Sequence, residues 1–140
     1  MMKRKENMES FSKDLIILRG LSGSGKSTVG QLFGTKAICS ADDYFMRNGI
    51  YCWYGEGLPY AHSWCQRKCR RFMKKQAKII IIDNTSARER DLVPYQDLAR
   101  QFGYRVHSIV VENRHGGVNK HDVPEENLEK QRNRFNIKLI

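Results

Sequence analysis

The nine residues from Gly20 to Thr28, GLSGSGKST, constrain this chain more than any other stretch. They match the pattern GxxxxGK[ST] in full, with Gly20, Gly25, Lys26 and Ser27 at its fixed positions. A chance match in a chain this long has odds on the order of one per cent. Glycines let the backbone turn tightly enough for several N–H groups to converge on phosphate oxygens. A helix opening near Lys26 adds the positive end of its dipole. Gly20, Ser22, Gly23, Ser24, Gly25, Lys26, Ser27 and Thr28 are thus expected to cradle a nucleoside triphosphate. Lys26 would reach its β- and γ-phosphates, and the Ser27 hydroxyl would ligate Mg²⁺.

The flanking sequence supplies the context this motif requires. Leu15 to Leu18 (LIIL) is a short apolar run closed by Arg19-Gly20, which reads as a buried strand, and Thr28 to Phe33 continues as a helix. Ala37 to Ser40 and Ile79 to Ile82 read as further strands, and Tyr104 to Val111 as a fourth. Tyr60 to Lys75, Leu92 to Phe102 and a segment beginning at Pro124 read as helices, and Arg47 to Pro59 as an ordered loop or hairpin-like insertion. Strands alternating with helices predict an α/β fold: a central, mostly parallel sheet with helices on both faces, three layers in all. Residues 14–140 form one expected domain, after a flexible tail over residues 1–13.

Composition narrows the class. The net charge is +10, from 25 Lys and Arg against 15 Asp and Glu, which favours polyanionic partners. No apolar run approaches the roughly 20 residues of a membrane helix, and no secretory signal is evident, so a cytosolic or nuclear protein is expected. Of the four cysteines only Cys65 and Cys69 lie close in sequence, at helical spacing, and free, mostly buried thiols are expected.

Two carboxylate positions add chemistry to the phosphate loop. Asp83 ends the four-isoleucine strand, where a carboxylate can hold Mg²⁺ directly or through water. Asp42 and Asp43 follow the second strand, at the sheet edge where α/β ligands sit. A hydroxyl attacking a γ-phosphorus needs a base within hydrogen-bond reach, and a carboxylate of ordinary pKa suffices. One Asp is expected as base and the other as cap or orienter. No NKxD guanine motif is present, and the chain lacks the bulk of a motor ATPase, so a phosphotransferase is favoured.

In order, GLSGSGKST, CSADDYF, AHSWCQRKCRRFM, IIIIDNTSARERD and HDVPEENLEKQRNRF resemble the polynucleotide 5′-hydroxyl kinase family of P-loop proteins. They are also similar to the P-loop domain of 2′,3′-cyclic nucleotide phosphodiesterases. The resemblance spans Leu15 to Phe135. It implies a kinase-like P-loop NTPase fold and transfer of the γ-phosphate of ATP or GTP to the 5′-hydroxyl of RNA or DNA. On the family pattern Asp42 is the general base and Lys26 keeps its phosphate role. Asp43, Thr85 and Arg88 lie beside the acceptor. Where a phage member of the family has an acceptor-binding Arg, this chain has Phe45, and Arg47 is the substitute. Over the triphosphate such kinases carry an Arg-bearing lid; in the short segment VENRHGGVNKHDVP, Arg114 is the first candidate and Lys120 the next. His115 and His121 are weaker phosphate candidates, and too few ligands surround them for a metal site.

The helix from Tyr60 carries Arg67, Lys68, Arg70, Arg71, Lys74 and Lys75, with Tyr51, Trp53 and Tyr54 just before it. Cations near aromatic rings suit a single-stranded nucleic acid end, and Arg67 and Arg71 are taken as acceptor contacts. A ligase or phosphatase partner is consistent with the small domain. Two other readings remain open at this level: a small-metabolite kinase, and a non-catalytic nucleotide-binding adaptor.

Overall fold

The computed structural model describes residues 12–117 and 123–140. Four strands build a parallel sheet: β1 (Asp14–Arg19), β2 (Ile38–Cys39), β5 (Ile79–Asp83) and β6 (Arg105–Val110), in the order β2-β5-β1-β6. Leu15 lies opposite Ile80 on one side and Val106 on the other. Every strand therefore points its carboxyl end to the same edge. The protein has the α/β P-loop NTPase fold.

Between their charged ends the central strands are apolar, because both of their faces are covered. Leu15, Ile17, Ile80 and Ile82 pack beneath α2 (Leu58–Lys74) and α3 (Val93–Phe102). The α2 residues that meet them are Ala61, Cys65, Cys69 and Met73, one every four positions. Their modest size lets the helix lie close on the sheet. Ile16, Leu18 and Ile81 face the other way, against Val29 and Phe33 from the region of α1 (Lys26–Gln31). Helices thus cover both faces, but unequally: one short helix stands on the α1 side. Strand β6, at the sheet edge, keeps Arg105 to Ser108 exposed. Cys39, Cys65 and Cys69 are buried and Cys52 is exposed, all as free thiols.

The insertion after β2 is a hairpin. A 3-10 turn (Ala41–Phe45) leads into antiparallel β3 (Met46–Arg47) and β4 (Ile50–Tyr51). Asn48 and Gly49 form the bend with positive φ, the backbone that Asn-Gly type sequences supply. Beyond β6 the chain passes to α4 (Glu125–Arg134), which has no buried residue.

The first described residues are tied to the domain. Lys13 Nζ donates to the Phe102 carbonyl at 2.8 Å, and Ser12 Oγ to Asp14 at 3.2 Å, so these two positions of the expected tail have fixed partners. No described helix is long and apolar enough to cross a membrane.

Candidate active site

The phosphate loop joins β1 to α1 at the carboxyl edge, and its shape depends on its glycines, Gly23 among them with φ +82°. A Cβ on Gly20 would stand 2.4 Å from the Val111 carbonyl and 2.5 Å from Ser24 Oγ. Gly25 has φ +102°, which L side chains rarely adopt. Ser24 is buried, and its hydroxyl has no hydrogen-bond partner among the described residues. Ser27 and Thr28 are exposed at the start of α1.

Lys26 is folded back on the loop. Its ammonium donates to the Gly20 carbonyl at 2.9 Å and the Leu21 carbonyl at 3.0 Å. Burial draws its pKa below the ordinary lysine value, while Asp83 and then Asp42 oppose that shift by stabilising the charge. Both carboxylates therefore act on the same cation.

The Ser27 hydroxyl donates to Asp83 Oδ2 at 2.7 Å, joining the phosphate loop to the end of β5. A hydroxyl and a carboxylate side by side match the hard-oxygen donors that Mg²⁺ takes, with phosphate and water completing its shell. Among the described residues no group of three His, Cys, Asp or Glu gathers elsewhere to hold a metal.

Asp42 and Asp43 lie side by side in the first turn of the 3-10 segment after β2. Tyr51 OH, brought across by the hairpin, donates to Asp42 Oδ1 at 3.2 Å. Partial burial and the Asp42 carboxylate together raise the Tyr51 pKa, so it stays a phenol donor. Asp43 reaches Lys68 of α2 at 3.9 Å. Asn84, next after Asp83, fixes the turn from the other side. Its carbonyl oxygen accepts from the Ala41 N–H at 2.8 Å, and its amide donates to Cys65 Sγ at 3.6 Å. One side chain thus sets the turn bearing Asp42 against the strand end bearing Asp83.

The remaining sequence candidates are spread around this centre. The Thr85 carbonyl accepts from Gly20 N–H at 3.0 Å. Arg88 N–H donates to Asp91 at 3.0 Å, at the start of a 3-10 turn. The Arg47 guanidinium donates to the Tyr44 carbonyl at 2.8 Å and stacks over the Tyr44 ring. Arg67 and Arg71 are exposed on α2. At 1.5 Å per residue Arg71 stands about 20 Å along the axis from Leu58. Arg114 pairs with Glu112 at 2.6 Å, and its side chain is 83% exposed. Lys120 and His121 lie outside the described residues.

Further long-range contacts that no local sequence pattern announces hold the loop and the Arg19 that precedes it. Gly117 N–H donates to His115 Nδ1 at 3.0 Å, which leaves Nε2 to carry the proton of a neutral ring and donate to the Ser24 carbonyl at 3.1 Å. Gln131 of α4 accepts from the Ser22 N–H at 3.1 Å. Arg19, 2% exposed, donates to the carbonyls of Ser86 (2.8 Å), Ala87 (3.2 Å) and Asn136 (2.6 Å), and pairs with Glu89 at 3.4 Å. The ring of Phe135 stacks on the same guanidinium.

Several known proteins are similar to this chain. Human NEDD4-binding protein 2 is 38% identical over 96 residues, 66% of this chain and 5% of that protein. The 2′,3′-cyclic-nucleotide 3′-phosphodiesterase of Pongo abelii is 33% identical over 100 residues, 67% of this chain and 23% of that enzyme. The chain thus spans a minor part of either relative. Among solved structures, a chain of the Pnkp1/Rnl/Hen1 complex superposes with a TM-score of 0.58 at 22% identity, covering 86% of this chain and 39% of that one. A gluconokinase from Sinorhizobium meliloti 1021 gives 0.54 at 14% identity, covering 91% and 77%. At these identities the structural likeness speaks for the shared fold. The sequence itself goes further: residues 15–137 match the family model described as an AAA domain, and the chain belongs to that family of P-loop domains.

Proposed function

We propose that this domain is a polynucleotide 5′-hydroxyl kinase, moving the γ-phosphate of ATP or GTP to the 5′-hydroxyl of an RNA or DNA end. The observation that carries the reading is geometric: Ser27 of the phosphate loop donates to Asp83 at 2.7 Å, and Asn84, the next residue, ties the turn bearing Asp42 to the same strand end at 2.8 Å. A phosphate-loop cation feels the Asp83 carboxylate and, from a different strand end, that of Asp42. A kinase needs those three groups around one crevice.

In this mechanism Lys26 leaves the Gly20 and Leu21 carbonyls and turns to the β- and γ-phosphates. Ser27 and Asp83 would hold Mg²⁺, whose charge would offset that of the phosphates. Asp42, oriented by Tyr51, accepts the proton of the 5′-hydroxyl as that oxygen bonds to the γ-phosphorus. The bond from that phosphorus to the bridging oxygen breaks, and the nucleoside diphosphate leaves. Arg114 supplies lid charge once freed from Glu112. Asp43, Arg47, Thr85, Arg88, Arg67 and Arg71 serve the acceptor side.

Two comparisons support a nucleic acid product. One relative is named for acting on 2′,3′-cyclic nucleotides, and one structural neighbour belongs to a Pnkp1/Rnl/Hen1 complex. A ligase or phosphatase partner for this domain accords with the latter. The likeness to a gluconokinase favours a second reading, a small-metabolite kinase. Salt separates them: a polynucleotide acceptor should lose affinity steeply as salt rises, and a neutral metabolite should not.

The direct test uses γ-labelled ATP and GTP with 5′-hydroxyl oligonucleotides of RNA and DNA. Label should move to the oligonucleotide, and Asp42→Ala should lower transfer about 10²–10⁴-fold while nucleotide binding persists. Absence of transfer by the wild type to either polymer would sink the reading.

A further inference from the structure

The hairpin that carries Tyr51 to Asp42 also carries an unusual surface. Phe45 is buried at the centre of an aromatic group, with ring centroids of Tyr44 and Tyr54 at 5.4 Å, Tyr51 at 6.2 Å and Trp53 at 6.4 Å. Around that anchor Trp53 is 55% exposed and Tyr54 47%, and Tyr60, which follows in the first turn of α2, is 67% exposed. Large rings grouped at a surface mark a binding site more often than an unused face. They are also held firmly. At Gly57 a Cβ would stand 2.6 Å from the Tyr54 ring and 2.9 Å from that of Phe45, so the backbone itself braces the cluster.

The group is continuous with the candidate active site. Tyr51 belongs to it by its ring and touches Asp42 by its hydroxyl. Cations accompany the rings: Arg47 lies over Tyr44 at 5.7 Å and Lys68 over Trp64 at 5.3 Å. Beyond them α2 continues with exposed Arg67, Arg70 and Arg71. Flat π-faces with positive charge alongside are what unpaired bases and their phosphates require, and a base-paired duplex hides those faces.

We propose that Trp53, Tyr54 and Tyr60 form a stacking platform for the first unpaired bases of a nucleic acid strand whose 5′ end lies at Asp42. This rests on the kinase reading above and gives it a substrate preference, for single-stranded or frayed ends over blunt duplex. It also accounts for Phe45. An Arg there would recognise a phosphate, whereas Phe45 anchors rings that recognise bases.

The test compares a 5′-hydroxyl oligonucleotide of about twelve nucleotides with the same strand made abasic at its first three positions. Trp53→Ala should raise the KM for the normal strand about tenfold while kcat and the KM for ATP hold. The conservative Trp53→Phe should restore most of that loss. On the abasic strand wild type and Trp53→Ala should have equal KM. An unchanged KM for the normal strand, or an equal penalty on both strands, overturns the platform and leaves the rings to a protein contact. Should the wild type phosphorylate neither strand, the kinase reading fails, and equilibrium binding then decides the platform alone. Binding weakened by Trp53→Ala on the normal strand only supports it; binding indifferent to bases overturns it.

Discussion

The two ends of the sheet carry the same kinds of side chain and use them in opposite ways. At the amino end Asp14 is met by Arg105 at 2.8 Å and His107 at 2.9 Å, with Ser12 beside them. The Arg105 guanidinium holds the Asp14 carboxyl down at about 2. Charge there is cancelled within the protein. At the carboxyl end the hydrogen bonds to Lys26 come from two carbonyls and the one to Asp83 from a hydroxyl, while the Asp83 and Asp42 carboxylates act on Lys26 through their field. The contrast teaches where to look for chemistry. A charge balanced by its opposite has little left to offer a ligand, while one tethered by dipoles keeps its field for phosphate or metal.

The sharpest way to break this comparison is Lys26→Ala. If the carboxyl-end charge is kept for the ligand, phosphoryl transfer should fall on the order of 10³-fold, with thermal unfolding close to the wild type. A large loss of stability with modest loss of activity would place Lys26 with the structural charges. Arg19→Met should do the reverse. It leaves three carbonyls and Glu89 without their donor, and denaturant unfolding should show a loss of about 3–5 kcal/mol. The smallest effect belongs to Asp14→Asn. Its partner Arg105 is largely exposed, so the pair is worth less than about 1 kcal/mol, roughly 2–4 °C in Tm. Because the folded pKa is depressed, that stability is present above the unfolded value near 3.8 and is lost as pH falls towards 2. The gap between wild type and Asp14→Asn should therefore be full at neutral pH and close in acid. A gap that widened in acid would assign the pair the wrong sign.

How far the sequence revealed these features depended on how local their causes are. GLSGSGKST names its own conformation, because Gly23 and Gly25 hold positive φ and a Cβ on Gly20 would strike Ser24 of the same nine residues. The IIII run of β5 announces its burial, whereas on α2 the helical spacing of Cys65 and Cys69 marks only half of the buried face that Ala61 and Met73 complete. Asp42 could be found because it follows a strand at the edge where ligands sit. The partners of these groups were hidden. His115 meets Ser24 across 91 residues and Gln131 meets Ser22 across 109, and nothing near either position encodes the meeting. Tyr51 was legible as an aromatic near cations, but its hydroxyl on Asp42 depends on the bend at Asn48-Gly49. Arg19 stands in the sequence only as the residue that closes an apolar run with Gly20, and a single Arg there carries no pattern.

That same Arg19 has a practical consequence for dissecting the protein. Its guanidinium stitches Phe135 and Asn136 beneath the mouth of the phosphate loop, and the next turn of chain is fastened too, with Lys138 N–H on Glu89 at 2.9 Å. A fragment cut after β6, or after α4, would keep every residue of the nucleotide motif and still lose the seam behind it. A fragment that keeps this seam whole therefore extends through Lys138.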